Sequence, residues 1–236
     1  MKKIILGSVL AIMAGAIWAP QQVSAIPTLM LSDGTTTVTI VDGDLVGPQV
    51  DANGTDGAVT FIGAVGAWNV NVTTGLTNPV LGSLSRPHMD LSSVNVSGGG
   101  GGTLTINFSE VGYTPPSSPA GFHLDVGGTV DDTPGSSLQY STFLDNTNVL
   151  FGTGTPIGSL GPFGPGAFSG TQSATAGGVG PFSLTQRVTI THVPGAGQSS
   201  SFNAELRVPE PASVLLLGMA LVGLGIWGRR AFRTES

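Results

Sequence analysis

The sequence contains no cysteine and has few basic residues outside its two ends. The absence of cysteine among 236 residues excludes a disulfide-stapled fold, a zinc–thiolate centre, an iron–sulfur cluster and a cysteine nucleophile. Between residues 26 and 208 there is no lysine, and three arginines stand against twelve acidic residues, a net charge of −9. Because such a surface repels phosphates, we expect no nucleic-acid partner.

Aromatic side chains and histidines are also scarce. The segment 26–208 has one Trp and two Tyr, so it lacks the aromatic residues of a usual sugar-binding platform. Its three histidines come without a Gly-x-Ser-x-Gly elbow, a Walker loop or a His-Glu-x-x-His motif. His123 and Asp125 lie on one face of an expected strand, and His88 and Asp90 lie in a turn-like segment. We interpret both pairs as solvated side chains and expect no enzyme.

The first 25 residues have the three parts of a secretory signal peptide. Lys2 and Lys3 supply the positive start, residues 4–18 are apolar apart from Ser8, and Val23-Ser24-Ala25 supplies small residues. We predict cleavage after Ala25 and export of the mature chain.

The last 29 residues combine a proline motif, an apolar run and a basic end. The motif is Val208-Pro209-Glu210-Pro211, in which each proline favours an extended conformation for the residue before it. Residues 212–228 are an apolar stretch of 17 residues, about 25 Å as a helix, near the lower limit for crossing a bilayer. Arg229, Arg230 and Arg233 follow and predict a cytoplasmic end. We therefore expect a transmembrane helix at about 212–228.

These features together resemble the PEP-CTERM sorting signal of exported Gram-negative bacterial proteins, over residues 208–236. The resemblance implies that the inner membrane holds the tail transiently and that an exosortase recognises and processes it. The residues that it implicates in sorting are Val208, Pro209, Glu210, Pro211, Arg229 and Arg230. It also implies a final location at the cell surface or outside the cell, and an association with extracellular polysaccharide and biofilm.

Residues 26–207 have β character throughout. Alternation is strict in residues 103–109, where Leu104, Ile106 and Phe108 share one face, and it recurs around 67–73, 182–191 and 202–208. Weaker strands are expected at 36–41, 58–62, 91–97, 122–126, 138–144 and 148–151. About ten short strands predict an all-β fold, either an antiparallel β-sandwich or a jelly-roll-like domain.

Glycine and proline mark the expected loops. Residues 98–102 are all glycine, which fits a long hairpin loop in one domain or a linker between two smaller β-domains. Residues 156–180, which include Gly161-Pro162-Phe163-Gly164-Pro165-Gly166, are expected to form no regular element. We prefer one domain, 26–207.

Hard oxygen ligands cluster between residues 42 and 56. The candidates for a calcium site are Asp42, Asp44, Asp51, Asn53 and Asp56. The pattern is not that of an EF-hand, because Asp56 stands in place of the turn glycine and Ile62 in place of the bidentate Glu. A calcium site is one hypothesis, and an Asx-rich hairpin turn at Asn53-Gly54 is the other.

The sequence thus predicts an exported, non-enzymatic surface or matrix protein with a structural or adhesive role in a polysaccharide-rich layer. Two alternatives stay open. One is a carbohydrate- or surface-binding module, with or without calcium. The other is a secreted glycan-active hydrolase. Glycoside hydrolysis needs paired carboxylates, and glutamate is scarce, since Glu110 and Glu205 are the glutamates of residues 26–208. The expected partners are an exosortase, the inner membrane and exopolysaccharide.

Overall fold

The computed structural model describes residues 26–209, apart from positions 48, 99, 115–119 and 196, together with position 219. The predicted signal peptide with Ala25, and the predicted membrane helix except for position 219, together with Glu210, Pro211, Arg229 and Arg230, lie outside the described residues. Within the described part, no helix has the length and hydropathy needed to cross a bilayer.

Twelve strands make up the described part of the chain. They are β1 (Thr28–Ser32), β2 (Thr37–Val41), β3 (Ala58–Val65), β4 (Trp68–Leu76), β5 (His88–Ser97), β6 (Gly102–Tyr113), β7 (Ala120–Val130), β8 (Ser137–Asp145), β9 (Thr155–Phe163), β10 (Gly166–Ala176), β11 (Phe182–His192) and β12 (Ser199–Arg207). They form two six-stranded sheets, in the orders β2-β1-β6-β11-β8-β9 and β10-β7-β12-β5-β4-β3. Every neighbouring pair is antiparallel, so the predicted all-β antiparallel fold is confirmed.

The two sheets pack face to face because apolar side chains occupy every second position of most strands. In β6, Leu104, Ile106 and Phe108 are fully buried, as their alternation predicts. Inward residues of both sheets belong to one hydrophobic cluster, which makes the two sheets a β-sandwich. Trp68 and His192 are also buried, and their ring centroids lie 4.7 Å apart.

The glycine run after β5 passes from one sheet to the other. β5 belongs to the second sheet and β6 to the first, so this segment is not a hairpin loop. The predicted strand at 148–151 is wrong, because Asn148 and Phe151 have positive φ values of 56° and 60° in a turn. Sequence reasoning also missed β1, a five-residue strand between β2 and β6.

The expectation that residues 156–180 form no regular element is wrong. β9 and β10 occupy most of this segment. β9 is an edge strand, and its register with β8 shifts between Leu138–Phe163 and Tyr140–Leu160, which leaves Gly161 and Pro162 in a bulge. A proline at a bulge of an edge strand removes no central ladder hydrogen bond, so the strand continues.

Candidate functional site: a polar groove on the second sheet

Charged residues of the second sheet gather on the outer face of three adjacent strands, β7, β12 and β5. β12 lies between the other two, although the three strands are far apart in the sequence. Alternation in β12 turns Phe202, Ala204 and Leu206 inward and leaves Glu205 and Arg207 on the outer face. Because alternation sets the face, the register of the neighbouring strands decides which side chains meet there.

Three carboxylates form one row across these strands. Glu205 on β12 pairs with Asp90 on β5 and with Asp125 on β7. Neighbouring strands are about 4.8 Å apart, so Glu205 has an acidic neighbour on each side. Like charges placed directly opposite each other are destabilising unless positive charge stands close by.

A second row supplies this positive charge. Arg207 pairs with His88 on β5 and with His123 on β7. Arg207 Nε lies 3.4 Å from Glu205 Oε1, and its Nη2 lies 3.7 Å from Asp125 Oδ2. His88 Nε2 is 2.7 Å from the same Glu205 oxygen, and His123 Nε2 is 3.1 Å from the same Asp125 oxygen. The two rows therefore form one partly exposed network, in which each ion pair contributes at most about 1 kcal/mol.

Asp90 has a different environment from the other two carboxylates. Burial raises the pKa of Asp90 above its ordinary value, the neighbouring Glu205 raises it further, and His88 opposes the change. Asp90 therefore holds a proton more readily than a solvated aspartate does.

An open groove of about 640 Å³ runs over this face and includes the row of three carboxylates in its lining. A hollow of about 300 Å³ continues it, and the two share Gly127 and Asn203. Gly127 has no side chain, so backbone forms the floor where the two hollows meet. The site is thus an extended trough along β7 and β12.

The larger hollow offers hydrogen-bonding groups. Asn203, Ser169 and Thr171 contribute amide and hydroxyl groups beside the carboxylates. Among the described residues, none that line this hollow is aromatic. Hydrogen bonds to an ionised acceptor are roughly twice as strong as neutral ones, so the groove suits a ligand rich in hydroxyl or amino groups.

The two His-x-Asp segments were predicted to be solvated, and both lie on this half-exposed face. His123 contacts Asp125 as its strand alternation predicts. His88 begins β5 and is not in a turn, and its near partner is Glu205. Sequence reasoning missed the association of Glu205 with both segments, because no local sequence pattern predicts that β12 lies between β5 and β7.

Glu110 does not join Glu205 in the groove. Its side chain is fully buried in the core, where Thr77 and Tyr113 donate hydrogen bonds to Oε2. Burial raises the pKa of Glu110 to about 7, the two hydrogen bonds oppose the shift, and Asp42 adds to it. The two glutamates of residues 26–208 therefore do not face one ligand.

The five residues of the calcium hypothesis lie in the connection between β2 and β3, where the side-chain oxygens of all but Asp56 accept backbone hydrogen bonds. Asp51 is buried and accepts from the amides of Asn53 at 2.9 Å and Thr60 at 2.8 Å. Asp42 accepts from the amide of Gly57 at 2.7 Å. The remaining bonds are Gly43 to Asp51, Val46 to Asp44 and Thr55 to Asn53.

This arrangement is that of an Asx-rich loop. Burial raises the pKa of Asp42, the Gly57 amide opposes the shift, and Asp51 and Asp56 add to it. Across the described residues, no group of three or more His, Asp or Glu side chains could hold a metal ion. The calcium site stays a prediction.

The position of the last strand connects the fold to the end of the chain. β12 ends at Arg207, and the amide of Val208 donates to the carbonyl of Pro87 at 2.9 Å. The PEP-CTERM protein-sorting motif matches residues 207–230, and this motif implies an exosortase-targeted protein that passes through the membrane to the cell surface. A search of curated proteins gives no match to the chain.

Proposed function

We propose that residues 26–207 are a non-enzymatic adhesive module that anchors this surface protein in a polysaccharide-rich extracellular layer through the groove on the second sheet. The sorting motif supports the location. The observation that carries the adhesive role is the extended polar trough that the row Asp90, Glu205 and Asp125 lines.

The chemistry of the trough favours a polysaccharide. A hydroxyl-rich chain can donate to the carboxylates and exchange hydrogen bonds with Asn203 and Thr171, which line the same hollow. The two hollows join over Gly127, so a ligand longer than one monosaccharide can contact both. The three carboxylates and Asn203 lie on β5, β7 and β12, which are interior strands of the second sheet and therefore rigid positions for a binding site.

Hydrolysis is the second candidate, and one observation favours it. Asp90 and Glu205 are paired on adjacent strands, and Asp90 has a raised pKa, as a general acid requires. Against it, Arg207 forms an ion pair with Glu205 Oε1, and His88 Nε2 lies 2.7 Å from the same oxygen, so this oxygen already has two partners. We therefore favour binding without turnover.

The test is binding of the full chain to the extracellular polysaccharide of an exosortase-containing host and to a glycan array, with and without chelator. Asp125→Asn removes one acceptor of the trough, and Gly127→Leu fills its floor, where a Cβ has ordinary contact distances of 3.5 Å or more. Each variant should weaken binding by about tenfold or more, which corresponds to roughly 1.4 kcal/mol. Asp56→Asn, an exposed acid in the β2–β3 loop, is the charge-matched control.

Three outcomes contradict the proposal. Unchanged binding by both groove variants would place the site elsewhere. A lack of binding to any glycan in either condition would leave only a structural role. Release of soluble sugar that Asp90→Asn abolishes would make the groove an active site and favour the hydrolase.

A further inference from the structure

Both chain ends of the sandwich leave from the same end of the molecule. β1 begins where β12 ends, and the hydroxyls of Thr77 and Tyr113 join the two sheets there at 2.6 Å. We call this the basal end, and its described residues are 26–27, 41–47, 49–57, 77–87, 114, 145–154, 177–181 and 208–209. The opposite end carries the connections between β7 and β8 and between β11 and β12.

Exposed aliphatic side chains concentrate at the basal end. Among the described residues, nine of the eleven exposed large hydrophobic side chains lie there. The most exposed are Val46 at 84%, Val179 at 77% and Leu45 at 62%. The two exceptions are Ile62 on the edge strand β3 and Met219 beyond the sandwich. Scattered apolar residues need no explanation, whereas this concentration at one end indicates a contact surface.

The sorting motif leaves almost no linker between this surface and the membrane. The matched residues begin at position 207, the last residue of β12, and Val208 is hydrogen-bonded to Pro87. From Val208 to the predicted start of the apolar span at position 212 there are four residues, which reach at most about 14 Å. The headgroup region on one side of a bilayer is about 7 Å thick. The basal end is therefore confined to the membrane surface for as long as the tail is inserted.

We propose that the basal end is a membrane-docking surface, in which the aliphatic side chains of the β2–β3, β4–β5, β8–β9 and β10–β11 connections enter the headgroup layer of the bilayer that holds the tail. Leu45 and Val46 lie in the first of these connections, and Val149 and Leu150 lie in the third. Docking fixes the orientation in which the Pro-Glu-Pro motif is presented for processing. This inference depends on the sorting motif and not on the groove, so the two proposals fail separately.

The charges of the basal end indicate which lipid surface it accepts. The β2–β3 connection contributes Asp42, Asp44, Asp51 and Asp56, and β8 ends in Asp145, whereas the β4–β5 connection contributes one basic residue, Arg86. The described residues of this end therefore carry a net negative charge. Anionic headgroups repel these carboxylates, whereas a zwitterionic surface does not. Apolar insertion and tethering by the tail are the attractive contributions, and tethering raises the effective concentration of the surface at the membrane.

The absence of cysteine allows a direct test by single-site labelling. The full chain is reconstituted in phosphatidylcholine vesicles that contain lipid with a spin label in its acyl chain. An environment-sensitive dye is attached to Val46→Cys or Val149→Cys at the basal end. The controls are Ile62→Cys, which is 59% exposed on β3, and Asp132→Cys at the opposite end. Quenching by the lipid label should be several-fold stronger at positions 46 and 149 than at 62 and 132.

A second variant separates docking from mere proximity. Val46→Asp should reduce quenching of the dye at position 149, whereas Ile62→Asp should leave this quenching unchanged. Both variants should have the same β-type circular dichroism spectrum as the wild type. Equal quenching at all four positions overturns the proposal. A second result also overturns the proposal. In it, the lipid label quenches none of the dyes, and the dye at position 46 becomes shielded from water only when an exosortase is reconstituted with the protein. The basal end would then contact the enzyme and not the bilayer.

Discussion

Glu110 and Tyr113 are three residues apart on β6, yet both side chains enter the core, where the Tyr113 hydroxyl donates a hydrogen bond to the Glu110 carboxylate. In a regular strand, residues three apart point to opposite faces. The register with β11 shifts between Phe182 and Leu184, and Gly112 has a φ of 85°. This bulge adds one residue to β6 and turns Tyr113 inward beside Glu110.

Stability should decrease as pH rises through the pKa of Glu110. With that pKa at about 7, the folded chain holds a proton that the unfolded chain releases near 4.5. The contribution of Glu110 to the free energy of unfolding is fully present below about pH 4.5 and is lost as pH rises past about 7. The total change is about 3 kcal/mol. Glu110→Gln cannot ionise, so the loss in Tm between pH 5 and pH 8 should be smaller by about 5–10 °C than in the wild type.

The comparison must be made between variants, because His192 acts in the opposite direction. Burial lowers the pKa of His192, so its contribution is present above the ordinary histidine pKa and is lost as pH falls below it. Asp132→Asn, which removes an exposed carboxylate at the opposite end of the sandwich, is the control and should keep the wild-type pH profile. A Glu110→Gln profile that coincides with the wild type would contradict the assignment.

Gly75 should tolerate no side chain, because it lies against an aromatic ring of the opposite sheet. A Cβ at Gly75 would stand 2.5 Å from Cε2 of Phe108. Since Phe108 is fully buried and cannot move freely, Gly75→Ala should lower the free energy of unfolding by about 1–3 kcal/mol. Urea unfolding measures the change. Gly121→Ala on β7 is the matched control, since a Cβ there meets nothing within 4 Å, and a comparable loss in both variants would contradict the packing argument.

Asp51 should stabilise the β2–β3 loop without a metal ion. Asp51→Ala leaves the buried amide of Thr60 without its acceptor, which should cost about 2–3 kcal/mol in unfolding free energy. Asp56→Ala, at an exposed position of the same loop, should change stability by less than about 0.5 kcal/mol. Addition of calcium or chelator should leave the Tm of the wild type unchanged. A calcium-dependent rise in Tm that Asp51→Ala abolishes would establish the metal site instead.

Processing of the tail should depend on an exosortase. Expression in a host that has the enzyme should yield a mass without the C-terminal apolar run and protein at the cell surface. In the exosortase deletion strain, the full-length tail and the inner-membrane fraction should persist. Glu210→Ala should resemble the deletion, and identical masses in the two strains would make the tail an ordinary anchor.

Much of the fold could be predicted because strand alternation is a local property. Phe202, Ala204 and Leu206 on one face and Glu205 and Arg207 on the other follow from position alone. β9 and β10 could not be predicted in this way, because small, polar and proline-rich strands resemble loops when composition is the only information. They are strands because each finds a hydrogen-bonding partner at the edge of a sheet. β9 pairs with β8, and β10 pairs with β7.

The sequence by itself determined the sorting motif, the β class and the inward residues of the strictly alternating strands, since each depends on neighbouring positions: a Pro-Glu-Pro motif or a period of two. Only the tertiary structure decided the site. Asp90, Asp125 and Glu205 meet because β12 inserts between β5 and β7, and Tyr113 turns inward beside Glu110 because of a bulge one residue long. Strand order and register are settled by the packing of a whole sheet, and no segment of the chain carries that information alone.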